Sequence, residues 1–501
     1  MSFSDAHPEI AALLREHDTT VNYRTIDFNA AASYLDPFVA QVLASSLSRT
    51  PYEGYPSGIP GDSNPYAGGK ALDKLHKLAV ESAKKAFSTE ESFVQFANVM
   101  SFSASVANRA VWDALLPTET TYSSPSFRHA AVRAYNQGGH FTHGGEGHMT
   151  AHNRKIHTYG SFEELEHLLK TYPISLVITS GGSNDSRAPN YAKYRRLIDK
   201  IESKRNNEEE QRPGKRSIYL WADISHTAGL VAGGAYPNPI AYDIDIVTFS
   251  AAKSLGGAIG SSFILWQEPQ LSDLFNSKVF PASQGQPNIA AMVANAAVME
   301  QWLEPDFKQH AARVVENAKA LAARMNERGL NLVSKGTDSH MVLIDLRSLG
   351  IKGKEACEFL EAAGILTTAL YVPEDRPGRD APSGLRMGTV AATSLNMKPH
   401  DMVEVADAVA SALYGLAKLK KRGLSFDAAR APKAEALLAK TRDKLAPLIG
   451  LFPPPRYALT GERDFPGETH VDKKQWREYM ASRGTSGQFE PGPPGEEGNF
   501  R

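Results

Sequence analysis

Ser217-Ile-Tyr-Leu-Trp-Ala-Asp-Ile-Ser-His226 and Asp245-Ile-Val-Thr-Phe-Ser-Ala-Ala-Lys253 are the two stretches from which the rest of the chain can be read. Each is a short run of β-branched and aromatic residues, the signature of a buried strand. The first runs into Asp223 and His226. The second ends in one lysine among small residues, Ala251, Ala252, Ser254 and Gly256. A lysine without water is a nucleophile, because burial disfavours its charged form and frees the amine. An acid at one strand end and an amine at the next is the pair a pyridoxal phosphate enzyme uses, the acid on the ring nitrogen and the amine in a Schiff base. An α/β core with one acid and one lysine at its strand ends reads equally well from these residues alone.

The neighbouring segments give the fold class. Helical spacing over Ala71–Phe87, Ala104–Leu116 and Tyr191–Ser203 alternates with short apolar runs at Phe93–Val99 and Leu176–Thr179. That alternation predicts an α/β fold with a mainly parallel sheet covered on both faces, with ligands at the C-terminal strand ends. Residues 1–50 read as a helical arm, 51–310 as the large domain and 311–420 as a smaller α+β domain. The last of these is introduced by a long helical region from Asn288 to Arg328. Residues 421–501 read as an extension with one helix, Pro432–Leu448, and a Gly/Pro/Glu-rich end expected to be disordered.

Composition narrows the class. The chain has 501 residues, 55 Lys plus Arg against 56 Asp plus Glu, so the net charge of -1 gives no general drive towards nucleic acid or anionic membrane. Cys357 is the only cysteine, which excludes an intramolecular disulfide and a cysteine-based zinc site. No apolar run approaches a membrane span, and the first residues lack a secretory pattern, so a cytoplasmic protein is expected.

Four further stretches carry chemistry. Ser103-Ala104-Ser105 stands at a predicted helix start, where hydroxyls and free N–H groups suit a phosphate, or serve as an ordinary cap. Gly138-Gly-His-Phe-Thr-His-Gly-Gly-Glu-Gly-His148 is a glycine-rich loop. Its His140 can stack on a planar ring; no metal is expected there, because the spacing is not that of a helical zinc pair. Tyr52-Glu53-Gly-Tyr55-Pro puts a carboxylate between two phenols, a candidate proton shuttle or a structural turn. Arg386, in the apolar segment Ser383-Gly-Leu-Arg-Met-Gly, needs an anion, and an amino-acid carboxylate or an internal ion pair supplies one.

The order of these stretches resembles that of the serine hydroxymethyltransferase family from about Thr50 to Thr393. Gly-Gly-His-Phe-Thr-His-Gly, Asp223-Ile-Ser-His-Thr-Ala-Gly-Leu-Val-Ala-Gly, Phe280-Pro-Ala-Ser-Gln-Gly-Gln-Pro287 and Lys335-Gly-Thr-Asp-Ser-His340 look like that family's motifs in the same sequence. The resemblance implies fold type I, with an aspartate aminotransferase-like seven-stranded sheet, and a homodimer or tetramer with shared sites. It implies that Lys253 carries the cofactor, Asp223 holds the ring nitrogen, and His226 and Ser183 lie near the ring's phenolic oxygen. His140 would stack on the ring. Ser103, Ala104 and Ser105 would cradle the phosphate, with Gly285 arriving from a second subunit and Ser250 also near the cofactor. Arg386 would take the substrate carboxylate, and Glu53 or a histidine, His140 or His226, would move the proton, while Tyr52, Tyr55 and Tyr66 line the site from the partner chain.

The sequence also departs from the family. Ala251-Ala-Lys253 stands where the family has Thr-His-Lys. Leu255-Gly-Gly-Ala-Ile-Gly-Ser replaces an Arg-Gly-Pro-Arg-Gly-Gly loop, removing two cations. Gln284-Gly-Gln-Pro, Asn184-Asp-Ser-Arg, Phe141 and Tyr371-Val-Pro-Glu-Asp-Arg-Pro also differ from their counterparts. Cofactor-side residues match and acceptor-side residues do not. The expectation is therefore Cα–Cβ aldol chemistry on a small amino acid, folate-dependent or folate-free, the departures favouring the folate-free branch. An oxidase or decarboxylase outcome and a non-catalytic relative are the alternatives.

Overall fold

The computed structural model describes residues 6–56, 66–116, 129–133, 155–205, 216–254, 256–375, 380–423 and 432–452. Its strands are β1 (Ile26–Asp27), β2 (Phe96–Ser101), β3 (His129–Arg133), β4 (Lys155–Tyr159), β5 (Ile174–Ser180), β6 (Tyr219–Asp223), β7 (Ile246–Ser250), β8 (Ser262–Trp266), β9 (Met341–Asp345), β10 (Ile365–Leu366), β11 (Thr368–Leu370) and β12 (Gly384–Gly388).

Seven of them form one sheet in the order β2-β8-β7-β6-β5-β3-β4. The pairs β4–β3, β3–β5, β5–β6 and β6–β7 are parallel, and β8 runs antiparallel between β7 and β2. The α/β expectation therefore holds. Side chains alternate between two hydrophobic layers, as a strand's period of two requires. Leu176, Ile178, Trp221, Ile246 and Ile264 enter one layer. Val177, Leu220, Val247, Phe263 and Leu265 enter the other. Both faces are buried, so the strands are apolar throughout and not alternating in sequence.

A second core surrounds the antiparallel sheet β11-β12-β9. The helices Pro305–Glu327, Gly353–Ala363, Pro399–Lys421 and Pro432–Leu451 supply its apolar side chains. Two segments from far along the chain join it. Ile26 and Phe28 of the N-terminal arm are buried in it, and β1 pairs in parallel with β10. Leu438, Leu445 and Leu448 of the extension's helix are buried in it as well. The extension's residues 453–501 lie outside the described residues. Among the described residues no helix is long and apolar enough to cross a membrane.

The parallel strands end on one edge of the large sheet. Ser180, Asp223 and Thr248 are in register there, on β5, β6 and β7.

Candidate active site

Asp223 is the last residue of β6 and is 7% exposed. A buried carboxylate needs donors. Its Oδ1 accepts from the Ser225 N–H at 2.9 Å, and its Oδ2 from Asn108 Nδ2 at 2.9 Å. Asn108 lies on the helix Ala104–Leu115, which starts at the loop after β2. Ser103 caps that helix, its Oγ accepting from the Val106 N–H at 3.3 Å. Both readings of Ser103 survive together, because a hydroxyl that accepts one bond still has a proton to donate. Ala104 is buried as the helix's first residue. One helix thus presents its positive end and, about one turn along, the amide that fixes Asp223.

β7 ends at Ser250, and Lys253 lies in the turn that follows, three residues later than the sequence suggests. The Ala252 N–H donates to Ser250 Oγ at 3.4 Å, and the Gly257 N–H to the Ala251 carbonyl at 3.2 Å. Burial lowers the lysine's pKa. Asp223 pulls it partly back up and Arg386 lowers it further.

Arg386 lies in the middle strand, β12, opposite Thr368 of β11 and Leu343 of β9. It is 7% exposed, and Nη1 donates to the Ser183 carbonyl at 2.8 Å. Its Nε is buried with no partner. Burial lowers its pKa to about 10, so it stays charged at neutral pH. A buried guanidinium with an unmatched N–H is suited to an anion such as a carboxylate.

His226 and His340 stack beside it, centroids 5.7 Å apart and planes at 19°. His340 Nε2 lies 3.0 Å from the Ala30 carbonyl. A carbonyl only accepts, so the proton is on Nε2 and Nδ1 carries the lone pair. Burial drives His340 down to about 4. His226 falls well below the ordinary range, through burial first and then the charges of Lys253, Arg386 and His340. Both rings are neutral at physiological pH, and both Nδ1 atoms are buried without a partner. Ser183 reaches this place on a loop that only glycine permits: Gly182 has φ +74, and an added Cβ would come within 2.4 Å of Thr227 Cγ2. Two ion pairs brace the same loop, Asp185–Arg133 at 2.8 Å and Arg187–Asp338 at 3.0 Å.

The aromatic residues expected to line the site need correction. Tyr52 is fully buried, and its hydroxyl donates to Asp73 Oδ1 at 3.0 Å beside His76 Nδ1. Tyr55 is also buried; its hydroxyl donates to the Asn276 carbonyl at 2.8 Å and accepts from Asn98 Nδ2 at 2.9 Å. Both phenols serve the chain's own interior, so the Tyr-Glu-Gly-Tyr stretch is a structural turn at those two positions. Tyr66 is exposed, and its hydroxyl donates to Glu53 Oε1 at 3.2 Å. Gly285 is exposed, with nothing within 4 Å of an added Cβ. Its neighbour Gln284 binds the backbone of the loop before Ser103 in the same chain, accepting from the Phe102 N–H and donating to the Met100 carbonyl. His140 and the rest of its loop lie outside the described residues. Among the described residues no group of three or more His, Cys, Asp or Glu side chains could hold a metal.

Asn108 and His340 had no role in the sequence reading. A lone asparagine among the alanines of a buried helix is the available signal for the first. His340 lies at the end of a recognised motif, but only tertiary packing stacks it on His226. The donor set fits pyridoxal phosphate with an amino acid: a braced acid for the ring nitrogen, a pKa-lowered lysine, a helix N-terminus for phosphate, and an arginine with a free N–H for a carboxylate.

Comparison with known proteins agrees with the geometry. The family model for serine hydroxymethyltransferase matches residues 3–409. A serine hydroxymethyltransferase of Rhizorhabdus wittichii is 34% identical over 83% of this chain and 88% of its own length. One of Halorhodospira halophila is 33% identical over 82% of this chain and 92% of its own, and one of Rickettsia massiliae 34% over 80% and 89%. The chain belongs to the serine hydroxymethyltransferase family, the fold-type I, pyridoxal phosphate-dependent transferases.

Proposed function

We propose that this enzyme makes and breaks the Cα–Cβ bond of a small β-hydroxy amino acid, exchanging it with glycine and an aldehyde, and that it does so without requiring folate. The observation that supports this most is Arg386, a buried guanidinium with an unmatched Nε–H, in the same chain as an Asp223 braced by Asn108 and the Ser225 N–H. When bound, pyridoxal phosphate supplies an electron sink that stabilises negative charge at the amino acid's Cα.

The chain's own residues do the rest. Lys253 Nζ holds the cofactor, its lowered pKa leaving more of the amine free of its proton near neutrality. Asp223 would hold the ring nitrogen, and Asn108 and the Ser225 N–H keep that carboxylate from turning away. Ser103, Ala104 and Ser105 receive the phosphate at a helix N-terminus, with Gly285 of a second copy completing the cradle in a homodimer. Ser250 would lie near the cofactor, His226 and Ser183 would contact its phenolic oxygen, and His140 would stack on the ring. Arg386 binds the substrate carboxylate through Nε and its remaining fork, Nη1 being held by Ser183. Glu53, paired with Tyr66, moves the proton on the aldehyde oxygen. Loss of the two cations after Lys253 takes away charge that an anionic second substrate would meet, which favours a folate-free acceptor.

The test is direct. Purified protein should be yellow, and Lys253→Ala should lose the visible band. Threonine should yield glycine and acetaldehyde without folate, and tetrahydrofolate should leave that rate unchanged. Serine turnover that depends strictly on tetrahydrofolate would reverse the folate-free assignment. Oxygen uptake on adding the amino acid would replace aldol chemistry with oxidation.

A further inference from the structure

The segment Ile26–Tyr34 ties together parts that are distant in sequence. Its first half is bound to the small sheet. The Ile26 and Phe28 N–H groups donate to the Gly364 and Leu366 carbonyls, each at 2.9 Å, and the Gly388 N–H donates to the Phe28 carbonyl at 2.7 Å. Thr368 Oγ1 donates to Asn29 Oδ1 at 2.9 Å, and His340 Nε2 to the Ala30 carbonyl at 3.0 Å. Its second half reaches the lysine turn. Ser33 Oγ donates to the Ala252 carbonyl at 3.1 Å and accepts from the Gly256 N–H at 3.1 Å. One hydroxyl thus grips the turn on both sides of Lys253.

Further bonds hold the turn: the Ala252 N–H donates to Ser250 Oγ at 3.4 Å, and Ser254 Oγ accepts from the Gly229 N–H at 3.0 Å. Gly256 has φ +67, the left-handed region that favours glycine. The segment also packs closely against it: an added Cβ on Gly256 would lie 3.0 Å from the Tyr34 carbonyl. A hydroxyl that both donates and accepts satisfies two backbone groups at once, and its loss leaves both unmatched.

We propose that Ser33 is a positioning residue for Lys253: it holds both ends of the Ala252–Gly256 turn and thereby fixes the direction of the lysine amine. The assignment rests on the reading of Lys253 as the residue that holds pyridoxal phosphate. Without the grip the turn opens to water, and water favours the charged form of the lysine nitrogen.

The experiment compares Ser33→Ala, Ser33→Thr and Ser88→Ala in the cofactor-loaded, full-length protein. Ser88 is a matched control, because its Oγ also donates to one carbonyl (Lys84, 2.8 Å) and accepts from one N–H (Val94, 3.0 Å). Two quantities are read: the pH midpoint of the lysine-linked visible band, and hydrogen exchange of the Gly256 amide. Ser33→Ala should raise the midpoint by about half a pH unit and speed Gly256 exchange about tenfold. Ser33→Thr should restore both, and Ser88→Ala should move neither. The proposal is overturned if Ser33→Ala titrates and exchanges as the wild type does, or if Ser88→Ala reproduces its effects. Should Ser33→Ala fail to accumulate as folded protein, Ser33→Cys, which keeps the volume and weakens the donor, gives the same reading. A wild-type protein that takes up no pyridoxal phosphate would defeat the reading of Lys253 itself. Gly256 exchange would then still decide whether Ser33 holds the turn.

Discussion

At the scale of single side chains, the proposed chemistry rests on Asn108 and Arg386. Asn108 gives one Nδ2 hydrogen to Asp223, and its own Oδ1 is buried without a partner. Asn108→Ala removes the donor and leaves a buried carboxylate oxygen unmatched, a cost of about 1–3 kcal/mol. Where that cost falls on the cofactor-bound state, pyridoxal phosphate affinity should drop about tenfold, measured by titrating cofactor into stripped protein. Unchanged affinity would show that the Ser225 N–H suffices. Arg386→Lys keeps the charge but loses the planar fork that holds the Ser183 carbonyl and, in the proposed function, the substrate carboxylate. The KM for the amino acid should rise about a hundredfold with the visible band intact. A KM near the wild-type value would place the substrate carboxylate elsewhere.

At the scale of elements, the close contact of β12 with the N-terminal segment governs where Arg386 sits. A Cβ on Gly388 would lie 2.4 Å from Ala30 Cα, which is backbone and cannot rotate away. Gly388→Ala should therefore push residues 28–30 off β12, destabilising the protein by about 1–3 kcal/mol. Urea unfolding would read the loss, and the KM for the amino acid should rise with it, because the same displacement moves the strand that carries Arg386. A variant with unchanged stability would mean that the segment is not anchored there. The arm, read from sequence as helical, has helices at Pro8–Asp18 and Pro37–Leu43, and between them β1 pairs with the small core.

For the whole molecule, buried ionisable groups set the response to acid. His76 and His340 are pushed by burial to about 4, against an ordinary value near 6.5. Between those values the unfolded chain binds more protons than the folded one, so this stability is present above about pH 6.5 and is lost as pH falls towards 4. Asp27 and Asp245 run the other way. Burial raises each to about 6, so their contribution is present below about pH 4 and is lost as pH rises through 6. The histidine and aspartate terms therefore oppose each other in acid, and a single variant isolates one of them. His76→Gln should shrink the loss of unfolding free energy between pH 7 and pH 4.5 by about 2 kcal/mol relative to wild type. Denaturant unfolding at the two pH values measures it, and equal losses in both proteins would contradict a neutral buried His76.

The sequence by itself determined the elements whose information is local. Apolar runs of strand length placed β5, β6 and β7, and helical periodicity placed the helices between them, because burial on both faces of a parallel sheet leaves a continuous hydrophobic record. Ordered motifs were enough to single out Asp223, Lys253 and Arg386. Tertiary structure decided what depends on approach between distant segments. Tyr52 and Tyr55 look like site residues in a glycine-rich stretch, but partners at Asp73, Asn98 and Asn276 draw their hydroxyls inward. Asn108 meets Asp223 across 115 residues, and Ser33 meets the Lys253 turn across more than 200. Such hydrogen bonds leave no period or spacing in the chain, because they are made between surfaces that exist only once the sheets have formed.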